Sequence, residues 1–302
     1  MPSLVMQANL PGLTPHRGKV RDTYDLGKVL LMVTTDRISA FDVVLPTGIP
    51  EKGIVLGDLS AFWFRQTAHL IPNHLIRMAY EPATNDPFPI KLPDMPADVR
   101  RRAAVVRKAE RIDVECVARG YITGSAWAEY RKSGAVNGQK MPAGMKESQA
   151  FPEPIFTPTT KAEQGHDMPV TQKELEKMVG ADLTRQLRDR TLEVYSWALD
   201  FAKGRGIILA DTKFEFGWID GKLHIIDEML TPDSSRFWDA AAYKPGASQP
   251  SLDKQYVRDW LTDSGWNKEP PAPALPEDVV RQTAEKYKDA YRRLTGKTLE
   301  TR

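Results

Sequence analysis

The sequence lacks the features expected of a secreted, membrane or disulfide-stabilised protein. Cys116 is the only cysteine among 302 residues, so the chain can form neither an internal disulfide nor a metal site built on thiolates. We therefore expect a reducing, cytoplasmic setting. The first ten residues lack the basic start and the long apolar stretch of a signal peptide. No run approaches the roughly 20 apolar residues that are needed to span a bilayer.

A strong excess of one charge is also missing. Lysine and arginine number 42 against 40 aspartates and glutamates, which gives a net charge of +2 and argues against general nucleic-acid binding. Any basic site must therefore be local, and a local group of cations suits a small anionic ligand better than a polymer. With 41% hydrophobic and 27% charged residues, the composition is that of an ordinary soluble enzyme without a nucleic-acid or membrane partner.

The order of predicted elements indicates an α+β fold in two lobes. Strand-like runs flank Leu26-Gly27, which is a hairpin signal, and strand patterns predominate up to residue 120. Helical patterns dominate later, where Thr171 and Glu174 have the spacing of a capping box. We predict a strand-rich N-terminal lobe over residues 1–120 and a mixed α/β lobe over residues 121–302.

The densest group of charges lies in residues 210–217, Ala-Asp-Thr-Lys-Phe-Glu-Phe-Gly. On a strand, Asp211, Lys213 and Glu215 share one face, and the two phenylalanines share the other. The aromatic face can be buried, which leaves three alternating charges directed into a cleft. Carboxylates at this spacing can hold Mg²⁺ while the lysine meets a phosphate. The alternative is a half-solvated strand whose charges pair with one another across the surface.

A second carboxylate, Asp227, ends the next strand-like run, and the turn between the two strands contains Asp220-Gly221. A two-residue turn would pair Glu215 with Ile226 and place Asp227 on the opposite face. If both carboxylates bind one metal, the turn must have three or five residues, or a bulge must intervene. We predict one of these two arrangements.

Several other polar segments are candidates for binding anions. In the segment 18–21, Gly18 lets a ligand approach the backbone closely, and the cations Lys19 and Arg21 could meet phosphates. The alternative is a solvated basic strand without a ligand. Ser125 at a helix start can help to bind an anion, with Arg119 nearby, or can be an ordinary cap. The loop over residues 230–238 combines an acid, hydroxyls and Arg236, which suits ribose and phosphate groups or a capped helix start.

Taken together, these segments resemble the SAICAR synthetase family, the phosphoribosylaminoimidazole-succinocarboxamide synthases. The resemblance runs from Gly18 to about Leu294, and its most specific stretches are residues 114–125 and 209–217. It implies a fold with a kinase-like, ATP-grasp-like nucleotide cleft between two lobes. It also implies the longer single-chain form that the fungal enzymes typify, acting as a monomer. The ligands that it implies are ATP, Mg²⁺, carboxyaminoimidazole ribonucleotide and L-aspartate, in the de novo synthesis of purines.

The resemblance also implies roles for individual residues. Gly18, Lys19, Val20 and Arg21 should meet the ATP phosphates, and Glu215 and Asp227 should hold Mg²⁺. The connector that includes Lys108, Glu110 and Arg111 should meet adenine, mostly through backbone groups. The expected surroundings of the imidazole nucleotide are Arg119, Ser125, Lys161, Asp167, Asp211, Lys213, Asp233, Arg236 and Arg258. Among these residues, Lys19, Asp211 and Lys213 are the candidates for a direct part in catalysis.

The implied reaction activates a carboxylate, since oxide is a very poor leaving group. ATP phosphorylates the carboxylate, the aspartate amine attacks the acyl phosphate, and the protein contributes positioning and charge neutralisation. Asp36 is a candidate base for the amine, and Ser39 with Arg37 a candidate site for aspartate. His166, in the polar segment 156–167, is the one histidine in a site-like setting. The rival interpretation is a small-molecule kinase of the inositol-phosphate type.

Overall fold

The computed structural model describes residues 4–161 and 168–299. Their strands are β1 (His16–Arg17), β2 (Arg21–Asp25), β3 (Val29–Thr34), β4 (Ser39–Ala40), β5 (Val43–Val44), β6 (Leu75–Met78), β7 (Ala103–Arg107), β8 (Glu110–Tyr121), β9 (Ala135–Val136), β10 (Gln139–Lys140), β11 (Ala150–Phe156), β12 (Thr159–Thr160), β13 (Ile207–Ile219), β14 (Lys222–Ile226) and β15 (Ser235–Asp239). Their helices are α1 (Lys52–Gln66), α2 (Ala97–Arg100), α3 (Gly124–Ser133), α4 (Gln172–Val179), α5 (Ala181–Lys203), α6 (Gln255–Asp263) and α7 (Glu277–Thr295).

An N-terminal antiparallel sheet has the strand order β1-β2-β3-β7-β6. The hairpin of β2 and β3 confirms the signal at Leu26-Gly27, where Gly27 has a φ of 87° that favours glycine. Tyr24 and Leu31 point from one face of the sheet into a buried core. The opposite face, which includes Met32, lines a cleft.

A second antiparallel sheet has the order β11-β8-β13-β14, with β12 also pairing with β8 and β15 with β13. The chain passes between the sheets at Lys108-Ala109, between β7 and β8. The sheets therefore change 12 residues before the predicted lobe boundary at residue 120, because β8 pairs with β13 and not with the first sheet. The division of the chain at residue 120 stays a prediction.

Helix α5 packs on the face of the second sheet that lies away from the cleft, and α1 packs against the first sheet. The long helix α5 lies against β13 and buries Leu187, Val194 and Tyr195. The capping box of Thr171 and Glu174 at the start of α4 is confirmed. Helix α1 was not predicted from the sequence; it is largely buried and packs against α7. No helix within residues 4–161 and 168–299 has the length and apolar character required to cross a membrane.

Candidate active site

The charged face of β13 forms the floor of the cleft. Phe214 and Phe216 are fully buried in the core beneath the sheet. Asp211, Lys213 and Glu215 point the other way and line a cavity of about 690 Å³. The alternation predicted from residues 210–217 is therefore confirmed, and its charges line the cleft.

Two guanidinium groups converge on Asp211 from the strands on either side of it. Arg119 on β8 and Arg236 on β15 are both register partners of Asp211. Their Nη1 atoms lie 2.9 Å and 2.5 Å, respectively, from Asp211 Oδ2. Ser125 Oγ lies 3.4 Å from Arg119 Nη2. Asp211 engages only part of each guanidinium, so further N–H groups of Arg119 and Arg236 can bind an anionic ligand.

Gly124 makes room for one of these arginines. Its φ is +56°, and a Cβ placed there would lie 2.6 Å from Arg236 Nη2. A side chain at residue 124 would therefore be strained and would collide with the guanidinium. The Thr-Gly-Ser segment is thus shaped by the arginine beside it as well as by the start of α3.

Further along the same face, two lysines neutralise two glutamates. Lys213 Nζ lies 2.5 Å from Glu115 Oε1, and Lys161 pairs with Glu215. Burial alone would lower the pKa of Lys213, but the charges of Glu115 and Glu215 outweigh it and raise the pKa. Lys213 is therefore a fixed positive charge in the cleft.

The prediction of a longer turn or a bulge between β13 and β14 is wrong. Glu215 pairs with Ile226 and Ile219 with Lys222, so Asp220-Gly221 is a two-residue turn without a register shift. Asp227 nevertheless lines the same cavity as Glu215. It lies one residue beyond the end of β14 and has a φ of 68°, so its backbone leaves the strand and the alternation of side chains no longer applies. The two carboxylates share the cleft by this route.

The pKa values of Glu215 and Asp227 shift in opposite directions, because their charged neighbours differ. Burial and the charge of Asp227 raise the pKa of Glu215 to about 7. Burial would also raise the pKa of Asp227, but Arg21 and Lys161 together hold it below its ordinary value. A buried acid with a raised pKa beside an ionised one is a setting in which a bound cation would be stabilised.

The loop over residues 18–21 covers the cleft from the N-terminal sheet. Arg21 Nη2 lies 2.5 Å from Asp227 Oδ2, and Lys19 Nζ lies 2.5 Å from Asp42 Oδ1. Gly18 and Val20 also line the cavity. The predicted basic segment is therefore placed above the acids of the second sheet.

The connector between the sheets contributes alternate residues. Arg107, Ala109 and Arg111 line the cavity, whereas Lys108 bonds to Asp25 at 2.6 Å and the side chain of Glu110 is exposed. The contact with adenine was predicted mostly for the backbone of this connector, and the side chains of Lys108 and Glu110 do not line the cavity. Their backbone passes close to β13, where a Cβ on Gly217 would lie 2.9 Å from the carbonyl oxygen of Glu110.

The carboxylate of Asp233, although it lines the cavity, is already occupied. Lys52 Nζ donates to Oδ2 at 2.8 Å, and Tyr287 Oη donates to Oδ1 at 2.6 Å. Lys254 and Arg258 lie beside it in the wall of the cavity. Burial lowers the pKa of Lys254 to about 8, although the charge of Asp233 opposes this change. Asp233 is thus held firmly in place by two buried partners.

Two residues of the segment Thr35-Asp36-Arg37 prove to be structural, which corrects the sequence-based expectation. Asp36 is fully buried, and its oxygens accept bonds from the backbone of Val5 and Gly53 and from Arg102. It does not line the cavity, so it cannot take a proton from a substrate amine there. The guanidinium of Arg37 is likewise engaged within the protein. Ser39 does line the cavity.

The structure also places residues in the cleft that sequence patterns did not indicate. His74 is buried beside Asp227, and burial lowers the pKa of its imidazole to about 4. Glu115 and Glu228 supply further carboxylates. His74 belongs to no motif, so only three-dimensional proximity could identify it. Glu115 lies within the specific stretch 114–125 and Glu228 follows Asp227, but neither had been assigned a role. The segment from Glu163 to Asp167, which includes the predicted residues His166 and Asp167, lies outside the described residues.

Comparison with known proteins identifies the family. The family model described as SAICAR synthetase matches residues 14–273. A phosphoribosylaminoimidazole-succinocarboxamide synthase from Geotalea uraniireducens is 51% identical over 299 residues, covering 98% of this chain and 99% of that protein. The chain belongs to the SAICAR synthetase family. The family's members are ligases of purine biosynthesis, so this chain is an ATP-dependent ligase that joins L-aspartate to carboxyaminoimidazole ribonucleotide.

Solved structures agree with this assignment to the SAICAR synthetases. A SAICAR synthase from Saccharomyces cerevisiae, in complex with SAICAR, matches with a TM-score of 0.87 at 45% identity, covering 98% of this chain and 99% of the yeast chain. A SAICAR synthetase from Pyrococcus horikoshii shares the fold, with a TM-score of 0.66 at 24% identity over 93% of this chain and 99% of that one. The expected similarity to the longer fungal form is confirmed. Membership of the family also decides against the kinase alternative.

Proposed function

We propose that the ligase works through an acyl phosphate. An oxygen of the imidazole carboxylate attacks the γ-phosphorus of ATP, a new P–O bond forms, and ADP leaves with the electrons of the broken bond. The aspartate amine then attacks the carbonyl carbon, and inorganic phosphate leaves with the electrons of the C–O bond. The amine proton passes to phosphate or solvent. Both steps are promoted mainly by positioning and charge neutralisation.

ATP is assigned to the space between the residue 18–21 loop and β13. Lys19 and Arg21, with the backbone of Gly18 and Val20, would bind its phosphates. Lys19 is exposed and bonded only at its tip to Asp42, so it can turn to a phosphate at little cost. The apolar side chains of Leu30, Met32 and Ile226 line the cavity below the connector, which suits an adenine base. This arrangement supports the kinase-like cleft between two lobes.

The imidazole nucleotide is assigned to the arginine end of the same floor. Arg119 and Arg236 have free donors beyond Asp211, and Ser125 adds a hydroxyl. Lys213, with its raised pKa, would neutralise the carboxylate as it approaches the γ-phosphate. Arg258, Lys161 and Ser39 would complete the substrate pocket. Asp233 would act by holding the loop that carries Arg236, since Lys52 and Tyr287 occupy both of its oxygens.

Mg²⁺ fits the carboxylates of Glu215 and Asp227. Both are oxygen donors facing one cavity, and the raised pKa of Glu215 indicates that a cation between them would relieve repulsion. Within residues 4–161 and 168–299 no three histidine, cysteine, aspartate or glutamate side chains are placed to hold a metal alone. Substrate phosphates would therefore supply the remaining ligands, as is usual for this ion. When bound, Mg²⁺ would neutralise charge on the phosphates.

The single observation that carries this proposal is the gathering of Lys213, Glu215 and Asp227 under Arg21 in one cavity. An isotope experiment tests the chemistry. With both carboxylate oxygens of the imidazole nucleotide labelled with ¹⁸O, one label should appear in inorganic phosphate at each turnover. Unlabelled substrate in ¹⁸O water is the control and should give unlabelled phosphate. Phosphate without label from the labelled substrate would exclude the acyl phosphate.

A second assay compares ADP release with and without L-aspartate. We expect sustained ADP release only when aspartate is present, because the acyl phosphate is held in the cleft until an amine attacks it. Sustained ADP release at the same rate without aspartate would contradict the proposed order of steps. We further propose that the enzyme acts as a cytoplasmic monomer on small-molecule substrates, without an obligate protein, nucleic-acid or membrane partner.

A further inference from the structure

All four carbonyl groups of the residue 18–21 loop accept hydrogen bonds from Thr35 or Arg37. Arg37 donates to three of them, with Nε 3.0 Å from the oxygen of Lys19 and Nη2 3.0 Å and 3.2 Å from those of Gly18 and Arg21. The fourth, on Val20, accepts from the backbone N–H of Thr35 at 2.9 Å and from its hydroxyl at 2.8 Å. Two neighbouring residues thus bind every carbonyl of the loop.

Arg37 is itself fixed in place. Its Nη1 donates to the carbonyl of Met6 at 2.6 Å, and its Nη2 lies 2.9 Å from Oδ1 of Asp22, which is fully buried. The loop also closes on itself, since the N–H of Gly18 donates to the carbonyl of Arg21 at 2.8 Å. The rigid planar fork of a guanidinium can hold several acceptors in one geometry, which an ammonium group cannot do.

This arrangement fixes the direction of the backbone N–H groups as well. In a trans peptide the N–H points opposite to the carbonyl of the preceding residue. With the carbonyls of Gly18 and Lys19 directed at Arg37, the N–H groups of Lys19 and Val20 point away from it. Arg37 is not part of the cavity wall, whereas Gly18, Lys19 and Val20 are. The two N–H groups are therefore turned to the cleft side, as in a backbone nest that binds an anion.

We propose that Arg37, assisted by Thr35, is a positioning residue that gives the residue 18–21 loop its phosphate-binding shape. Arg37 touches neither substrate nor reacting atoms; it acts by binding the carbonyls and so presenting the opposite N–H groups. This inference rests on the proposed function, in which that loop meets the ATP phosphates. It replaces the expectation that Arg37 binds aspartate.

The test compares Arg37→Lys with Arg102→Lys. Arg102 is also buried in the N-terminal lobe and paired with a carboxylate, Asp36, but it does not contact the loop. Binding of ADP and of adenosine is measured for both variants, together with their stability to urea. We expect Arg37→Lys to weaken ADP binding about tenfold, because hydrogen bonds to a charged phosphate are disordered, and to leave adenosine binding within about twofold. Arg102→Lys should leave the ratio of the two affinities unchanged.

Two results would overturn the inference. One is an Arg37→Lys protein that binds ADP as tightly as the unmodified protein. The other is an equal loss for ADP and adenosine, which would place the effect in the general stability of the lobe. The variant Lys19→Ala distinguishes a failure of the role proposed for Arg37 from a failure of the proposed function. If Lys19→Ala also leaves ADP binding unchanged, the loop does not meet phosphates; if it alone weakens ADP binding, only the role of Arg37 is refuted.

Where Arg37→Lys does not fold, Thr35→Val provides the second variant. It removes the hydroxyl bond to the carbonyl of Val20 and keeps the backbone bond. We expect a loss of about twofold to fivefold in ADP affinity with adenosine binding unchanged. Unaltered ADP binding in a folded Thr35→Val protein would count against the proposal.

Discussion

Arg21 and Asp227 are 206 residues apart in the sequence, yet their side chains lie 2.5 Å apart across the cleft. Arg21 also approaches Glu228, at 3.3 Å. Burial alone would lower the pKa of Arg21, but these carboxylates raise it above its ordinary value. The contact joins the phosphate-binding loop of the first sheet to the acids of the second. Arg21 thus contacts one of the two carboxylates that are proposed to hold Mg²⁺.

Glu215 should make the ligand-free protein less stable at neutral pH. Its pKa in the folded state, about 7, lies above the ordinary value of 4.5. The folded state therefore binds the proton more tightly, and this group's contribution to stability falls as the pH rises from 4.5 to 7. We expect Glu215→Gln to raise the free energy of unfolding at pH 7.5 by about 1 to 3 kcal/mol and to have a smaller effect at pH 5.

Urea unfolding of both proteins at pH 5 and pH 7.5 measures this difference. Glu153→Gln is a suitable control, because Glu153 is exposed on β11, and it should change stability little at either pH. A Glu215→Gln protein that is equally destabilised at both pH values would show that the pair with Lys161 outweighs the repulsion from Asp227.

Arg236→Ala should affect the two nucleotide substrates differently. Arg236 lies with Asp211 and Arg119 at the end of the cleft assigned to the imidazole nucleotide. We expect the KM of that substrate to rise on the order of 10- to 100-fold, since a charge-assisted contact is lost, and the KM of ATP to change by less than about threefold. Steady-state kinetics with each substrate varied in turn checks this, with Arg185→Ala on the exposed surface of α5 as the control. Equal changes in both KM values would place Arg236 elsewhere.

Lys52 should be important for stability because it is fully buried and paired with Asp233. Removing one member of a buried pair leaves an uncompensated charge, so we expect Lys52→Met to lower the free energy of unfolding by about 3 to 5 kcal/mol. The double variant Lys52→Met with Asp233→Asn should recover much of that loss. Urea unfolding of the single and double variants measures the difference. A double variant less stable than Lys52→Met alone would mean that Asp233 is stabilised chiefly by Tyr287 and other neighbours.

The floor of the site was predictable because one short segment carries its pattern. On β13 the period of two separates buried phenylalanines from Asp211, Lys213 and Glu215, and nothing distant is needed to choose the face. The position of Asp227 was not predictable in the same way. Its side chain reaches the cleft because the backbone turns at a φ of 68°, and a non-glycine residue in that conformation leaves no reliable trace in the sequence.

Other features depended on contacts between distant segments. Helix α1 was missed because nearly all of its faces are buried, so its apolar residues do not show the amphipathic spacing that identifies a surface helix. Asp36 and Arg37 were mistaken for ligand-binding residues because a charged pair in a polar segment looks the same whether it serves a substrate or the backbone. Only the structure shows their partners. Asp36 accepts hydrogen bonds from Gly53 and Arg102, and Arg37 donates to the residue 18–21 loop.

The most direct test of the central claim is binding of Mn²⁺, as a spectroscopic substitute for Mg²⁺, in the presence of ADP. Electron paramagnetic resonance should show one ADP-dependent Mn²⁺ site in the unmodified protein. Glu215→Ala and Asp227→Asn should each weaken that site at least about tenfold, with most activity lost at low Mg²⁺ and adenosine binding retained. If both variants keep the ADP-dependent site at its original affinity, the two carboxylates do not share a nucleotide-bound cation, and the catalytic account is wrong.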